Sequence, residues 1–237
     1  MNLALFDLDH TLIRFDSNTA WMNFLIRARV VDADAAAVRN RAFALDYAAG
    51  TFDAVDYHRF TAGLLAPHER SVLDRWRESF GEEIAAERKA EFETSRALVE
   101  RHRAGGDLCC VVTTTNRFLA QVFADIFDIE HLVATEAATL HDGPDARFTG
   151  EVRGDPCFGA FKVDHVECWL QSLGYGRGTF DRTYFYSDSW NDLPLLRWVD
   201  EAIAVNPDPK LRAEAQVQGW RILDFPRGSQ PIFHRKA

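Results

Sequence analysis

Leu3, Ala4, Leu5 and Phe6 form an unbroken apolar run, and Asp7 and Asp9 follow it at once. A run of this kind suits a strand covered on both faces, as in a parallel sheet, better than a half-exposed strand of alternating polarity. Two carboxylates at its carboxyl end repel each other. A buried, unpaired charge costs several kcal/mol or is lost through a pKa shift. The fold must compensate this pair, or the pair must react.

The same texture recurs later in the chain. "DLCCVVT" (107–113), "HLVAT" (131–135), "TYFYSD" (183–188), "EAIAV" (201–205) and "WRIL" (220–223) read as further short strands. Helical patterns separate them: one through Ala97 and Leu98 that stops at Gly105-Gly106, one with Leu119, Val122, Phe123 and Ile126, and one with Val166, Trp169, Leu170 and Leu173 ended by Gly174. A short helix in "NDLPLLRWV" and another in "PKLRAEAQVQ" complete the series. Strands alternating with helices predict a parallel sheet with helices on both faces. "ATLHDGPDARFTGEV" predicts a hairpin around Asp142-Gly143-Pro144.

Between the first strand and the rest, residues 16 to about 93 carry only helical patterns. Trp21, Phe24, Leu25 and Ala28 recur at helical spacing, with Ser17 available as N-cap and Asp16 beside it as another. Val38, Ala42, Leu45 and Ala49 predict the inward face of a second helix ending at Gly50. Val72, Leu73, Trp76 and Phe80 predict that of a later one, and the aromatics are most simply a bundle core. The expected fold is α/β: a Rossmann-like, three-layer parallel-sheet core (1–14 and 98–237) with an inserted helical-bundle cap (15–97). The segment from Pro226 onward has no periodicity and is expected to be loosely held.

Composition removes several classes of function. The 27 basic and 36 acidic residues give a formal charge of −9, and no basic block is present. Nucleic-acid binding, which depends on clustered Lys and Arg, is not expected. Neither a leader peptide nor an apolar run of about 18 residues is present, so a cytoplasmic chain without a membrane partner is expected. Cys109, Cys110, Cys157 and Cys168 contain no C-x-x-C pair, which fits reduced thiols and no thiolate metal site.

Ligands of open α/β sheets bind beyond the carboxyl ends of the strands. Asp7 and Asp9, Thr113 and Asp188 all fall at such ends. Together with Lys162, Asn191 and Asp192 they suit phosphoryl transfer. Asp7 is placed as nucleophile and Asp9 as acid/base. Asp7 and Asp188 suit Mg²⁺, which takes few protein carboxylates and keeps waters, here arranged by Asn191 and Asp192. Thr113 and Lys162 suit the phosphate oxygens. Each residue also has a plainer reading: Asp192 as a helix cap, Lys162 as a solvated lysine, Asp16 as the cap of the Trp21 helix. "GYGRG" (174–178) follows a helix and reads as a turn.

"DLDHT" (Asp7 to Thr11), "VVT" ending at Thr113, Lys162 in "FGAFKV" and "YSDSWND" (Asp188 to Asp192) occur in the order of the four motifs of the haloacid dehalogenase-like hydrolases, and the chain resembles that family. The helical insert after the first motif resembles the C1-type cap of the phosphoserine-phosphatase-like branch. The resemblance implies a Mg²⁺-dependent phosphatase acting through an aspartyl-phosphate on a small phosphorylated metabolite such as histidinol phosphate or phosphoserine. It implies Asp7 as nucleophile, Asp9 as acid/base and, through its main-chain carbonyl, a metal ligand, and Asp188 as a further ligand. A phosphotransferase or mutase of the same mechanism, or a non-enzymatic binding protein on the same fold, are the alternatives.

The chain departs from phosphoserine phosphatases in places. Asp16 stands where they carry glutamate, and Thr113-Thr114-Thr115-Asn116 replaces their serine-glycine-glycine pattern. The position of their carboxylate-binding arginine falls near Thr61, with Arg59 two residues away. Asp16, Arg59, Thr114 and Asn116 are therefore the candidate substrate-binding residues.

Overall fold

The computed structural model describes residues 1–49 and 51–225. The helix stop expected at Gly50 and the segment from Pro226 lie outside the described residues. The chain enters β1 (Leu3–Phe6), then passes through α1 (Ser17–Arg27), α2 (Ala33–Ala49), α3 (Ala54–Gly63), α4 (Arg70–Glu87) and α5 (Lys89–Ala104) before β2 (Leu108–Asn116). It continues through α6 (Arg117–Ile126), β3 (His131–Thr135), β4 (Ala137–Thr139), β5 (Phe148–Val152) and α7 (Phe161–Ser172). The last elements are β6 (Thr183–Ser187), α8 (Leu193–Trp198), β7 (Glu201–Val205), α9 (Pro209–Gln218) and β8 (Arg221–Leu223).

Six strands pair in the order β3-β2-β1-β6-β7-β8, all parallel, and β4 and β5 form a separate antiparallel hairpin. This is the Rossmann-like α/β architecture read from the sequence. The chain builds outward from β1 first to one side and then to the other. The strand order therefore reverses beside β1, which opens a crevice at the carboxyl ends of β1 and β6.

Side chains of a strand alternate between faces, and β1 divides accordingly. Ala4 and Phe6 join one buried cluster, while Leu3 and Leu5 join the other. The second cluster takes Val166 from α7, Leu195 from α8 and Leu211 from α9. The first takes Val99 from α5 and Phe123 from α6, and it extends without a break into the insert through Trp21, Leu25, Leu73, Phe80 and Ile84. Trp21 meets the edge of Phe80 at 5.3 Å, and Phe80 meets Phe123 at 6.2 Å. Helices α1 and α4 are thus packed into one sheet face, and α5 is a single helix running from the insert onto the sheet.

Two local expectations need correction. Asp16 caps α1, its Oδ1 accepting from Thr19 N at 2.6 Å, and Ser17 is the first helical residue. Among the described side chains of α2, Ala36 and Phe43 are buried, whereas Val38 and Leu45 are 73% and 62% exposed. The small and apolar residues of "ADAAAVRNRAFALDYAA" occur all round the helix, so periodicity did not mark one face.

Candidate active site

Strand β1 runs straight into the crevice, and Asp7 N still pairs with Tyr186 O of β6 at 2.9 Å. The chain then makes a tight turn over Leu8–Leu12, closed by Ile13 N donating to Leu8 O at 3.0 Å. His10 occupies the left-handed region at φ 60°, a strained conformation for a residue with a Cβ. The turn folds Thr11 back onto Asp7. Thr11 Oγ1 lies 3.2 Å from Asp7 Oδ2 and 3.4 Å from Asp188 Oδ1, and it accepts from Asp188 N at 3.0 Å. One hydroxyl therefore brings the ends of β1 and β6 together.

Lys162, in the first turn of α7, is 1% exposed. Its Nζ donates to Asp7 Oδ1 at 2.9 Å and to Asp192 Oδ2 at 2.9 Å. Burial opposes its charge, but the two carboxylates outweigh burial and raise its pKa, so the ammonium persists. Asp192 is held further by Ser187 Oγ at 2.6 Å. Burial pushes Asp7 up to about 6 against the pull of Lys162, and it raises Asp188 well above the carboxylate range, with Asp7 and Asp192 adding to that rise. Three carboxylates face one ammonium, and negative charge is in excess.

Asp9 has different surroundings. Its Oδ1 accepts from Ser17 N at 2.6 Å and its Oδ2 from Thr115 Oγ1 at 2.8 Å. Burial pushes it up to about 7, and the neighbouring Asp16 adds to the rise. Among the described residues no group of three His, Cys, Asp or Glu side chains closes around a metal position. The donors that remain near one another are the carboxylates of Asp7 and Asp188, both within reach of Thr11 Oγ1. Two hard oxygen donors beside surplus negative charge fit Mg²⁺, which draws its remaining ligands from water and substrate.

These groups form the floor of a cavity of about 470 Å³ between the strand ends and the insert. Asp7, Asp9, Asp16, Thr113, Thr114, Lys162, Asp188, Asn191 and Asp192 all line it. Arg59 does not. It is exposed on the outer side of α3 and pairs with Glu151 of β5 at 2.8 Å. Asn116 does not either: it is buried, and its Oδ1 caps α6 by accepting from Leu119 N at 3.0 Å. These two substrate-binding expectations are corrected by helix phase and by capping, respectively.

Several wall residues carried no signal in the sequence. Thr115, Asn18 and Thr19 lie around Asp9 and Asp16, and Asn40, Phe43, Phe52, Tyr57 and Phe158 form the far wall. Apart from Thr115, which stands in the 113–116 stretch without a role assigned to it, none belongs to a motif or a characteristic spacing. Thr11 closes the first motif but had no role assigned to it, and Ser187 was legible only as the neighbour of Asp188.

An α/β fold carrying buried acids and a lysine at its switch point is an arrangement that suits a hydrolase. The family model described as haloacid dehalogenase-like hydrolase matches residues 4–197, and the chain belongs to that family. A histidinol-phosphatase of Neisseria meningitidis is 38% identical over 94% of this chain and 99% of its own length. A solved structure from Bordetella pertussis, of a protein with unknown function, is 41% identical and superposes with a TM-score of 0.84 over 94% of this chain and 98% of that one. A substrate-bound phosphoserine phosphatase structure, 15% identical, shares the fold at a TM-score of 0.60 over 93% and 91% of the two chains. The chain is an enzyme of the phosphatase type.

Proposed function

We propose that this chain is a Mg²⁺-dependent phosphatase that hydrolyses histidinol phosphate through an aspartyl-phosphate on Asp7. The observation that carries the chemistry is the buried Lys162 bridge between Asp7 and Asp192 at the floor of the cavity. The preference for histidinol phosphate is supported by near full-length likeness to the Neisseria enzyme. It is supported also by charge: Lys162 is the one Lys or Arg among the described residues lining the cavity, and it is already shared by two carboxylates. Phosphoserine would bring a carboxylate with no cation to meet it.

In this reading an Asp7 carboxylate oxygen attacks phosphorus as the bond to the substrate alcohol oxygen breaks, and Asp9 passes its proton to that oxygen. Water then attacks the Asp7-bound phosphorus. Asp9 takes its proton, and phosphate leaves with Asp7 restored. The upward push on Asp9 suits it to carry the proton of the first step. Lys162 and Thr113 hold phosphoryl oxygens, and Ser17 and Thr115 fix Asp9. Mg²⁺, held by Asp7, Asp188 and the main-chain carbonyl of Asp9, with Asn191 and Asp192 ordering its waters, would supply charge neutralisation at the phosphoryl oxygens. The insert carries the residues that select the leaving group, over a core that supplies the reaction. Its core, residues 1–14 and 98–237, and its cap, 15–97, act as separate functional parts.

Phosphate release is measured on histidinol phosphate, phosphoserine and sugar phosphates, with Mg²⁺ and with excess chelator. Histidinol phosphate is expected to be turned over best, and chelation to stop the reaction. Full turnover by metal-free protein, or a clear preference for a sugar phosphate, contradicts the reading.

A further inference from the structure

The far wall of the cavity is aromatic. Phe43 and Tyr57 meet edge to face with centroids 5.1 Å apart, Phe52 lies 5.4 Å from Tyr57, and Phe52 also reaches Phe158 of the core at 5.8 Å. All four rings line the cavity that has Asp7 at its floor. The wall is held from behind, since the Arg39 guanidinium stacks over Phe43 at 4.8 Å and is tied to Asp56 at 2.9 Å. Two further polar groups lie on the insert side of the same cavity. Asn40 lines the same cavity, and its side-chain amide makes no hydrogen bond with the described residues. Asp16 also lines it, and no Lys, Arg or His among the described residues pairs with its carboxylate.

A far wall of four rings and one amide offers the hydroxyls of a sugar few partners on that side of the cavity. A planar nitrogen heterocycle matches it. Ring faces and edges pack against Phe and Tyr. A side-chain amide carries both a donor and an acceptor, so it can meet either ring nitrogen in either tautomer. The Asp16 carboxylate, close enough to both Asp9 and Tyr57 to add to the rise that burial gives the pKa of each, matches an ammonium on the carbon chain joining ring to phosphate.

We propose that Phe43, Phe52, Tyr57 and Phe158, with Asn40, form a subsite for the imidazole ring of the substrate and set the specificity of the enzyme. The assignment rests on the histidinol-phosphate reading and extends it to named cap residues. Phe52 and Asn40 are the residues to change, because both are only half-buried and neither belongs to the packed core.

Wild type, Phe52→Leu and Asn40→Ala are assayed on L-histidinol phosphate and on acetyl phosphate, which has neither ring nor amine. L-Histidinol and ethanolamine are compared as inhibitors of acetyl phosphate turnover. Histidinol is expected to inhibit wild type more strongly than ethanolamine. Each substitution is expected to lower the ratio of kcat/KM for histidinol phosphate to that for acetyl phosphate by about five- to tenfold, and to raise the inhibition constant of histidinol by a similar factor. An unchanged ratio and an unchanged inhibition constant in both variants overturn the subsite. If wild type turns over acetyl phosphate but not histidinol phosphate, the substrate reading falls. The ring subsite is then decided by histidinol inhibition alone: weaker inhibition in the variants upholds it, and equal or absent inhibition overturns it.

Discussion

Asp7 and Asp9 are two residues apart in the chain and face opposite partners. Lys162 holds one, and the Ser17 amide and Thr115 hold the other. That split suits the roles proposed for them, Asp7 as nucleophile and Asp9 as acid/base. Asp9→Asn is expected to slow phosphate release by about 10²–10⁴-fold, the usual contribution of general acid–base catalysis. A loss of less than threefold in steady-state kinetics would remove Asp9 from the reaction. Asp16→Asn is expected to raise KM for histidinol phosphate and to spare acetyl phosphate, which carries no ammonium. Equal losses on the two substrates would reduce Asp16 to its role as cap of α1. Next to the exposed Arg59, His58 is 2% exposed; its Nε2 lies 3.4 Å from Thr135 Oγ1, and its Nδ1 has no partner. Burial pushes its pKa down to about 4, so the unfolded chain, near 6.5, takes up the proton first as pH falls. This group therefore lowers stability as pH drops from 6.5 towards 4, by up to about 3 kcal/mol. Denaturant unfolding of wild type and His58→Gln at pH 7 and pH 4 should show that extra loss in wild type alone. Parallel pH profiles would contradict it. Of these residues, the motif acids were legible as a group because each falls at or just beyond the end of an apolar strand. The bond of Thr115 to Asp9 was not, because a single hydroxyl in the 113–116 run shows no partner. Arg59 misled because successive residues on a helix differ in direction by about 100°, which sends His58 inward and Arg59 to solvent.

The strands were legible as elements because each is a short apolar run bounded by turn residues, and the hairpin was legible from Asp142-Gly143-Pro144. Helix faces were less so. In α4 the pattern of Leu73 and Phe80 is sharp and both are buried, whereas the alanine-rich α2 offers no such contrast. Some connections between elements are invisible in one dimension. His102 at the end of α5 bridges Asp107 at 2.8 Å and the Tyr186 hydroxyl of β6 at 2.8 Å, while Asp107 also receives Asn2 Nδ2 at 2.9 Å. This buried chain ties α5 to the sheet on both sides of β1. Tyr186→Phe leaves His102 Nε2 without its partner and is expected to cost about 1–3 kcal/mol in chemical unfolding. Its kcat should stay near wild type, since the hydroxyl is bonded away from the cavity. An unchanged unfolding midpoint would show that the network carries no stability.

At the scale of the whole molecule, the parallel sheet, its helical layers and the insert followed from the order of patterns along the chain. What did not follow is how the insert sits. Trp21 and Phe80 pack into the same buried cluster as Phe6 and Phe123, which anchors α1 and α4 to the sheet and leaves α2 and α3 to supply the cavity wall. Sequence separation hides such a cluster, because its members come from segments about a hundred residues apart. The arrangement concentrates every acid of the proposed reaction on the sheet side and every aromatic specificity residue except Phe158 on the insert side. The proposed reaction depends on the Asp7 carboxylate as the acceptor of the phosphoryl group. The most direct measurement is phosphate release from histidinol phosphate by Asp7→Asn, with Mg²⁺ present and the variant shown to be folded. An amide is too poor a nucleophile at phosphorus, so turnover is expected to fall to background. A rate within tenfold of wild type would contradict the account.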